Sequence, residues 1–478
     1  MSINKLRHPL LILALIIFFA FVVRLYRFNG PIADWHSWRQ ADTSAVSRNF
    51  VKYGFDLLHP RFDDLSNVPS GLDNPQGYRF VEFPVYNSAQ AGLFKFLGVF
   101  TIEEWGRLVT IFSSLLSVLF IYLIVSKRAG KLTGLLSAFF FAFTPYNIYY
   151  GRTILPDPSM AMTVLGGIYF FDRWIEKKSW IMFGLALLFA AVSLLLKPYA
   201  AFFLLPLAVI AWEKFGINIL KKWQLYIFAF LAVLPLILWR LWIKNFPAGI
   251  PASSWLLNGN GIRFRPAFFR WIFYERLTKL ISGYGGVVFL VIGAIWAKFI
   301  KHRLFFYSFL VASLLYITVF ATGNVQHDYY QILIMPTIAI FMGIGSAFLL
   351  TRTKSLRVVC SLLFIISLGV MFYFSWKQVR DYFNINNPSI IVAGEAVDRL
   401  TPKNAKVIAN YTGDTSFLYQ TKRQGWASYE KPLPEMIKMG ADFLVLANPT
   451  KDDFSFAKTY KIIAQTPQYV LYDLHQKP

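Results

Sequence analysis

The sequence predicts an α-helical polytopic membrane protein with about eleven transmembrane helices and a small α/β domain at its C-terminal end. The 478 residues are 56% hydrophobic and 18% aromatic, and the mean hydropathy is +0.47, which is high for a soluble protein. Apolar runs long enough to approach the ~20 residues of a membrane span recur along most of the chain. The tail instead shows short apolar alternations that are typical of strands.

The apolar runs are each predicted to be a membrane-spanning helix. No small-residue cleavage site follows the first run, so it is an uncleaved span rather than a signal peptide. The predicted spans lie at 9–28, 107–126, 132–148, 159–174, 180–196, 199–213, 223–243, 284–300, 304–321, 331–350 and 357–375.

Basic residues are concentrated in every second short connection between these runs, and such loops stay on the cytoplasmic side. The sequence therefore predicts a multi-pass protein of the cytoplasmic (inner) membrane with its N-terminus inside and its C-terminal domain outside. The stretch 85–98 must then be an amphipathic surface helix, because one more span would invert every later loop. The basic groups are Lys127, Arg128, Lys131; Arg173, Lys177, Lys178; Lys214, Lys221, Lys222; Lys298, Lys301, Arg303; and Arg352, Lys354, Arg357.

The net charge of +23 follows in part from these loops, and the rest suits an outer surface that handles anionic lipid or phosphate. The bilayer is thus a predicted partner, and no nucleic acid is needed to explain the charge. The single cysteine, Cys360, falls inside the last predicted span. A disulfide framework and a cysteine-based metal site are therefore excluded.

Two domains are predicted. A transmembrane domain covers 1–375, with outer loops at 29–106 and 244–283, and a soluble outer α/β domain covers 376–478. The tail is expected to contain strands at 405–411, 443–448, 460–465 and 468–474, and a short helix at 432–441 that ends near Gly440.

An outer stretch after the first span, from Asp34 to Phe50, is rich in polar and aromatic residues. Asp34 is predicted to cap a helix that ends at Gly54. On that helix Asp34, Trp38 and Asp42 share one side, and Arg39 lies one turn before Asp42. Simple structural roles are capping for Asp34, an Arg39–Asp42 surface pair, and interfacial anchoring for the tryptophans.

Other outer segments add an acid and several cations. Asp157 lies between two prolines near Arg152, where it either caps a helix or marks a functional site. Lys197 precedes Pro198 and either snorkels or points into a cavity. His327, in the sequence HDYYQ, can donate to phosphate. Residues 261–283, which include Arg265, are expected to form an interfacial amphipathic helix that suits an anionic lipid head group.

The order of these motifs resembles the GT-C class of integral membrane glycosyltransferases. The resemblance is closest to the branch that contains protein O-mannosyltransferases and the aminoarabinose transferase of lipid A. In that class an acidic motif follows the first span, a proline-bearing amphipathic helix comes next, an arginine opens the second span, and a second aspartate lies outside the third. The matching pieces are WRQADT at 38–43, EFPVYN at 82–87, Arg107 and Asp157, and HDYYQ is similar to a His-x-Tyr-Tyr element of related bacterial sequences.

The resemblance implies inverting transfer of a sugar from a polyprenyl-phosphate donor to a lipid, polysaccharide or protein acceptor outside the membrane. Such a displacement needs a carboxylate to take the acceptor's proton and cations to hold the phosphate leaving group. Asp42, Asp34 and Asp157 are the catalytic candidates, and Asp42 is favoured over Asp34 because capping explains it less well. The candidate donor-phosphate ligands are Arg39, Arg152, Lys197, His327 and Arg265. The candidate acceptor or accessory residues are Glu82, Trp38, Tyr329 and Tyr330.

The sequence departs from the family pattern in two places. The family's Asp-Glu falls on Arg39-Gln40 here, and Glu82 stands where the aminoarabinose transferase has a lysine before its prolines. No cofactor is certain, and a divalent cation stays open because some members of the class use one although this chain shows no cluster of ligands that demands it. No motif encodes the donor sugar.

Two alternatives from other classes remain. A transporter or flippase of lipid-linked sugars would show polar or broken helices near mid-membrane and two halves that echo each other. The acidic residues here cluster outside the spans and no internal repeat is evident, which disfavours that class. A non-catalytic scaffold would tolerate replacement of the outer aspartates.

Overall fold

The structure, a computed structural model, describes residues 8–351 and 354–478. Arg352 of the fifth basic connection lies outside the described residues, as does the side chain of Lys354. The α-helices are α1 Pro9–Arg24, α2 Ser37–Tyr53, α3 Val85–Leu97, α4 Ile102–Ala129, α5 Lys131–Phe143, α6 Pro145–Tyr150, α7 Asp157–Lys177, α8 Trp180–Leu196, α9 Ala200–Phe203, α10 Leu205–Phe215, α11 Trp223–Ile243, α12 Trp255–Asn258, α13 Pro266–Phe269, α14 Gly286–Trp296, α15 Arg303–Val319, α16 Ala321–Gln326, α17 Met335–Leu350, α18 Lys354–Val379, α19 Pro388–Leu400, α20 Thr415–Gln420 and α21 Leu433–Lys438.

Each apolar run predicted from the sequence coincides with one of these helices or with a broken pair of them. Among the described residues, five helices are long and apolar enough to cross a membrane, or six if a bent pair is counted as one span. That pair joins Pro266–Ile281 to Gly286–Phe299 at an angle of 115°. The protein is therefore a multi-pass membrane protein, whereas the count of eleven spans stays a prediction.

The residues form two compact units. The first, here called the span unit, contains residues 8–28 together with Leu108–Trp239 and Ser253–Asp381. The second, here called the sheet unit, contains Asn29–Arg107, Arg240–Ala252 and Tyr382–Pro478.

Glycines allow very close helix packing inside the span unit. A Cβ atom on Gly293 of α14 would lie 1.8 Å from the carbonyl oxygen of Phe341 on α17. A Cβ on Gly345 of α17 would likewise lie 2.0 Å from the carbonyl oxygen of Phe289. Small residues that bring two backbones together are a general means of helix association in membranes, where apolar side chains gain little from leaving lipid.

Ion pairs join two pairs of predicted cytoplasmic connections within the span unit. The Nζ atom of Lys127 lies 2.6 Å from Asp172, and Nη2 of Arg128 lies 2.7 Å from the same carboxylate. The Nδ1 atom of His302 lies 3.0 Å from Glu213. Within each pair the two connections therefore meet at the same end of their helices, as the pattern of basic loops requires. Which side of the membrane that end faces stays a prediction.

The sheet unit contains a five-stranded mixed sheet in the order β2-β1-β3-β5-β4. Strands β2, β1 and β3 are parallel, and β5 runs antiparallel to both β3 and β4. The strands are β1 Lys406–Ala409, β2 Gln424–Trp426, β3 Phe443–Ala447, β4 Lys461–Gln465 and β5 Tyr469–Asp473. The four strands and the helix predicted in the tail are present, whereas β2, α19 and α20 were not predicted.

Alternate side chains of the strands enter two separate cores, as the two-residue period of a strand requires. Val407 and Val445 pack with Phe417 of α20 on one face, and Ile408 and Leu444 lie on the other. The segment before the second span takes part in both cores: Ala33 packs in the first, and Leu65 in the second. The amide of Leu65 also donates to the carbonyl of Gly425 at 2.7 Å, which extends the sheet beyond β2.

Of three local predictions, two need correction and one is confirmed. Helix α2 begins at Ser37 rather than after Asp34, and its N-cap is His36, which makes no side-chain capping bond; it ends before Gly54 as predicted. The helix predicted at 85–98 is present as α3. Residues 261–283 do not form one amphipathic α-helix: the backbone is extended at Arg265, as expected before a proline, and a π-helix follows from Arg270 to Ile281.

Candidate active site

The predicted base Asp42 lies on α2 in the sheet unit, and its side chain is buried. The Nη2 atom of Arg79 lies 2.6 Å from its Oδ2 atom, and the hydroxyl of Thr415 donates to Oδ1 at 2.6 Å. The pair predicted between Arg39 and Asp42 is therefore absent, because each residue has a different partner. Both Arg79 and Thr415 come from segments remote in sequence, which is why the helical spacing on α2 did not identify them.

Arg39 binds Glu82, the residue just before the Phe83-Pro84 turn into α3. Its Nη2 atom lies 2.8 Å and 2.9 Å from the two carboxylate oxygens, and both side chains are buried. The two positions at which the sequence departs from the family pattern are thus partners in one ion pair. Their opposite charges make the two departures compatible with each other in this chain.

A cavity of about 10 Å³ lies beside this pair and is lined by residues that include Arg39, Asp42, Arg79, Glu82 and Asn87. That volume has room for about one water molecule. The arrangement brings two carboxylates, two guanidinium groups and an amide to one small polar space.

Asp34 lies in the same unit, but its role as a helix cap is wrong. Its Oδ1 atom accepts a hydrogen bond from Nε2 of Gln40 at 2.7 Å, and its backbone carbonyl accepts one from Asn386. Trp38 is half-buried, and its carbonyl oxygen lies 3.2 Å from the Thr415 hydroxyl. Trp35 is exposed and stacks on Tyr382 with the ring centres 4.9 Å apart.

Buried carboxyl groups near Asp42 were missed by sequence reasoning. Burial raises the pKa of the Asp64 carboxyl to about 7, although Ser66 donates to it from its amide and its hydroxyl. Burial also raises the pKa of Asp414, and the charge of Asp42 adds to that effect. The signal available in the sequence was the Asp63-Asp64 dipeptide, which reads equally well as an exposed turn.

The second acidic centre lies in the span unit. Asp157 is the first residue of α7, makes no capping hydrogen bond, and has a side chain that is 1% exposed. The Nζ atom of Lys197 lies 3.1 Å from its Oδ1 atom, and that side chain is also buried. Capping for Asp157 and snorkelling for Lys197 are both wrong, because the two side chains point inward and form a buried pair.

Three tyrosine rings surround the ammonium group of Lys197. Its Nζ atom lies 5.8 Å from the centres of the Tyr199 and Tyr330 rings and 5.9 Å from that of Tyr329. Within the described part of the chain, the ion pair with Lys197 is the contact of the Asp157 carboxylate, and neither of its oxygens has a further hydrogen-bond partner. A buried carboxylate of this kind keeps acceptor capacity, and an ammonium keeps two further donors.

His327 lies close to this tyrosine cluster, with its ring centre 5.6 Å from Tyr329 and 5.8 Å from Trp255. The following residue, Asp328, is fully buried and accepts a hydrogen bond from the Tyr150 hydroxyl at 2.7 Å. An Nη1 atom of Arg276, on the π-helix, lies 3.9 Å from the Asp328 carboxylate. Sequence reasoning missed Asp328 and Tyr150 because both resembled aromatic and polar residues of an ordinary connection.

The remaining predicted cations, Arg152 and Arg265, also belong to the span unit. Arg152 is buried, donates to the carbonyl of Arg27 at 3.3 Å, and lies 5.5 Å from the Tyr149 ring centre. Arg265 is exposed at the start of α13. Arg24 was not predicted; its buried guanidinium donates to the carbonyls of Ala142 in α5 and Asn147 in α6 and so links α1 to these two helices.

Metal binding finds no support in the geometry. Across residues 8–351 and 354–478, no group of three or more His, Cys, Asp or Glu side chains is placed to hold a metal ion. Asp42 is instead paired with Arg79 and Thr415, Asp157 with Lys197, and Asp328 with Tyr150. These donor sets do not fit a divalent cation, which prefers several oxygen ligands.

Part of the chain is similar in sequence to a known protein family. A family model described as dolichyl-phosphate-mannose-protein mannosyltransferase matches residues 84–242, about a third of the chain. The matched region contains Asp157 and Lys197. A sequence search of curated proteins gives no match.

Several solved structures share the fold over nearly the whole chain. The apo structure of ArnT from Cupriavidus metallidurans superposes with a TM-score of 0.68 at 11% identity, covering 96% of this chain and 97% of that one. The same protein bound to undecaprenyl phosphate gives a TM-score of 0.60 at 12% identity with the same coverage. The oligosaccharyltransferase AglB from Archaeoglobus fulgidus, in complex with an inhibitory peptide and a dolichol-phosphate, gives 0.59 at 11% identity, covering 97% of this chain and 74% of that one.

These likenesses show the fold, at identities too low to show more. The chain has the membrane-protein fold of ArnT and AglB, with a small C-terminal sheet domain. The predicted helical membrane fold with a small C-terminal sheet domain is confirmed, without its count of eleven spans, and so is the predicted resemblance to the GT-C class in the branch of the protein mannosyltransferases and ArnT.

Proposed function

We propose that this chain is a glycosyltransferase that moves a sugar from a polyprenyl-phosphate donor to an acceptor on the outer side of the cytoplasmic membrane. The observation that carries the proposal is the buried Asp157–Lys197 pair, which lies inside the region matched by the mannosyltransferase family model. A buried ion pair is a weak source of stability. Ionisable groups kept at the end of membrane helices more often serve substrates.

On the acceptor side, Asp42 takes the proton of the attacking hydroxyl group. The new bond forms at the anomeric carbon on the face opposite the phosphate, and the bond to the phosphate oxygen breaks, so the configuration inverts. Asp42 suits this task because donors hold both of its oxygens in place while each oxygen keeps lone-pair capacity. Asp34 is the less suitable base, since it lies on the connection before α2 rather than on the helix itself.

On the donor side, Lys197 binds the phosphate whose negative charge grows as the bond breaks. Its ammonium group is buried, and Asp157 fixes its position without using all three of its donors. In a site shielded from water such a cation stabilises a developing charge far more than it would in solution. His327, Arg152 and exposed Arg265 are further phosphate ligands in this proposal.

Arg39 and Glu82 take a structural role instead of binding phosphate and acceptor. The guanidinium of Arg39 already contacts both carboxylate oxygens of Glu82. Because the pair joins α2 to the turn before α3, it fixes the wall that carries Asp42. Trp38, Tyr329 and Tyr330 are kept as accessory residues that line the two centres.

The class of donor rests on the relatives. ArnT was crystallised with undecaprenyl phosphate, and AglB was solved with a dolichol-phosphate and an inhibitory peptide. A polyprenyl phosphate is therefore the carrier that we propose for this chain. A lipid, a polysaccharide or a protein is the corresponding class of acceptor.

The test is a donor screen. The purified full-length protein is incubated with a panel of undecaprenyl-phosphate sugars and an extract of envelope lipids, polysaccharides and proteins from the same source. Mass spectrometry then follows loss of each donor and release of undecaprenyl phosphate. We expect one donor to be consumed, and we expect Asp157→Asn and Asp42→Asn to abolish its consumption.

A matched control is Asp452→Asn, which removes an exposed carboxylate from the connection between β3 and β4. It should consume the donor at the rate of the unmodified protein. Full activity of Asp157→Asn would exclude that residue from the mechanism. Movement of intact donor across vesicles, with no release of undecaprenyl phosphate, would instead favour a flippase.

A further inference from the structure

We infer that Thr415, in the C-terminal domain, is a positioning residue for the base Asp42. This inference rests on the proposed function and goes beyond it, because it gives the C-terminal part of the sheet unit a role in positioning the base. The relationship is a hydrogen bond of 2.6 Å from the Thr415 hydroxyl to Oδ1 of Asp42, between residues 373 positions apart in sequence.

The hydroxyl group has one hydrogen and two acceptors within reach. The Asp42 carboxylate lies 2.6 Å away, whereas the carbonyl oxygen of Trp38 lies 3.2 Å away. The shorter distance and the negative charge of the carboxylate make Asp42 the main acceptor, since hydrogen bonds to charged groups are shorter and stronger. The carbonyl oxygen of Trp38, one turn before Asp42 on α2, is the weaker second acceptor of the same hydroxyl.

The backbone around Thr415 is fixed, so the contact does not depend on a mobile loop. Thr415 is the first residue of α20, and the Asp414 side chain caps that helix by accepting from the Ser416 amide at 2.8 Å. Phe417 and Leu418 of the same helix are fully buried in the core beneath the sheet. The start of α20 is therefore held by a cap on one side and by packing on the other.

Two further contacts hold α20 against the segment that carries Asp42. Arg48 of α2 donates to the carbonyl of Tyr419 at 3.1 Å, and its guanidinium lies 4.0 Å from the centre of the Tyr419 ring. The Gln420 amide donates to the carbonyl of Ile32 at 2.8 Å. These contacts fix α20, and with it Thr415, next to Asp42, as a positioning group requires.

The two donors to Asp42 act on different oxygens. Arg79 holds Oδ2 and Thr415 holds Oδ1. A carboxylate held at one oxygen only can rotate about its Cβ–Cγ bond, and the oxygen that receives the proton then loses its alignment with the acceptor. Because misplacement by about 1 Å costs roughly 100-fold in rate, loss of the Thr415 donor should lower kcat.

The experiment uses the full-length protein and the undecaprenyl-phosphate sugar that the unmodified protein consumes. Thr415→Val removes the donor at nearly constant volume, and Thr415→Ser keeps it. We expect Thr415→Val to lower kcat by roughly 10- to 100-fold with little change in KM for the donor. Thr415→Ser keeps the hydroxyl and lacks the methyl group, so it should recover most of the activity. A structural role of the methyl group would predict the opposite order of the two variants.

The matched control is Thr421→Val, at the other end of α20, where a fully buried hydroxyl donates to the carbonyl of Leu418. It removes a hydroxyl of the same kind from the residue that directly follows α20 and should leave kcat unchanged. An unchanged kcat in Thr415→Val, or equal losses in Thr415→Val and Thr415→Ser, would overturn this inference alone. If the unmodified protein consumes no donor of the panel, the proposed function falls first and this inference falls with it.

Discussion

Arg39 and Glu82 form a buried ion pair in which one guanidinium nitrogen lies 2.8 Å and 2.9 Å from the two carboxylate oxygens. The pair joins the helix that carries Asp42 to the turn before α3. Its polarity is the reverse of the acid and lysine that the family resemblance places at these two positions. Both departures from the family pattern are therefore found in one contact.

The first prediction is that the charges of this pair can be exchanged but not removed singly. Glu82→Gln leaves a buried guanidinium without its carboxylate, which should lower the free energy of unfolding by about 3 kcal/mol. The double variant Arg39→Glu with Glu82→Arg should recover a large part of that loss. Thermal unfolding in detergent measures both. Equal losses in the single and the double variant would contradict a pairwise role.

The second prediction concerns coupling between Asp157 and Lys197. Asp157→Asn and Lys197→Gln each leave one buried group without its partner, whereas the double variant leaves neither charge. The losses of stability should therefore not add, with a coupling energy of about 1–3 kcal/mol in a double-mutant cycle. Unfolding measurements on the four proteins provide the cycle. Additive losses would show that the 3.1 Å contact contributes nothing.

The third prediction is a pH dependence of stability that comes from Asp64. Burial raises the pKa of this carboxyl to about 7 in the folded protein, whereas an unfolded Asp titrates near 3.9. Between those values the folded state binds the proton and the unfolded state does not, so the free energy of unfolding falls as pH rises from about 4 to about 7. The loss between pH 5 and pH 7 should be about 2–3 kcal/mol, and Asp64→Asn should reduce it.

Asp398→Asn is the control for this pH series. Burial alone would raise the pKa of Asp398, but hydrogen bonds from Lys403, Arg423 and Lys422 hold it well below its usual range. That carboxylate is ionised in both states above pH 5, so its removal should lower stability by the same amount at pH 5 and pH 8. Stability of the unmodified protein that does not change between pH 5 and pH 7 would contradict the assignment to Asp64.

The fourth prediction concerns the glycine contact between α14 and α17. Gly293→Ala adds a methyl group 1.8 Å from the carbonyl oxygen of Phe341, so the helices must separate. We expect a loss of about 1–3 kcal/mol, the usual cost of overpacking, seen as a lower midpoint of thermal unfolding. Gly369→Ala on α18, where the added methyl meets nothing within 4 Å, should not destabilise. Similar effects of both variants would place the cause in helix propensity rather than in the contact.

Most helices and strands could be predicted from the sequence because the pattern that indicates each of them lies in neighbouring residues. Long apolar runs located the helices of the span unit, and short alternations located β1, β3, β4 and β5. Strand β2 was missed since its three residues, Gln424 to Trp426, show no such alternation. Gly425 allows its close pairing with β1, because a Cβ there would lie 1.8 Å from the Val407 carbonyl oxygen.

The acidic and basic residues of the two centres were also evident in the sequence, but their partners were not. Helical spacing suggested that Arg39 would bind Asp42, and the structure gives these residues Glu82 and Arg79 instead. Spacing determines the direction of a side chain on its own helix. It does not determine which remote segment packs against that helix.

The sequence by itself therefore determined the helical membrane fold class, the places of most helices and strands, and the acidic and basic residues from which we propose the site. Only the tertiary structure decided that Lys197 turns inward to Asp157 and that Thr415 of the tail reaches Asp42. The physical reason is the separation along the chain over which each kind of interaction acts. Hydrophobic periodicity acts between neighbours along the chain, whereas hydrogen bonds and ion pairs of buried groups form between whichever side chains the packed helices and sheet bring within about 3 Å of each other.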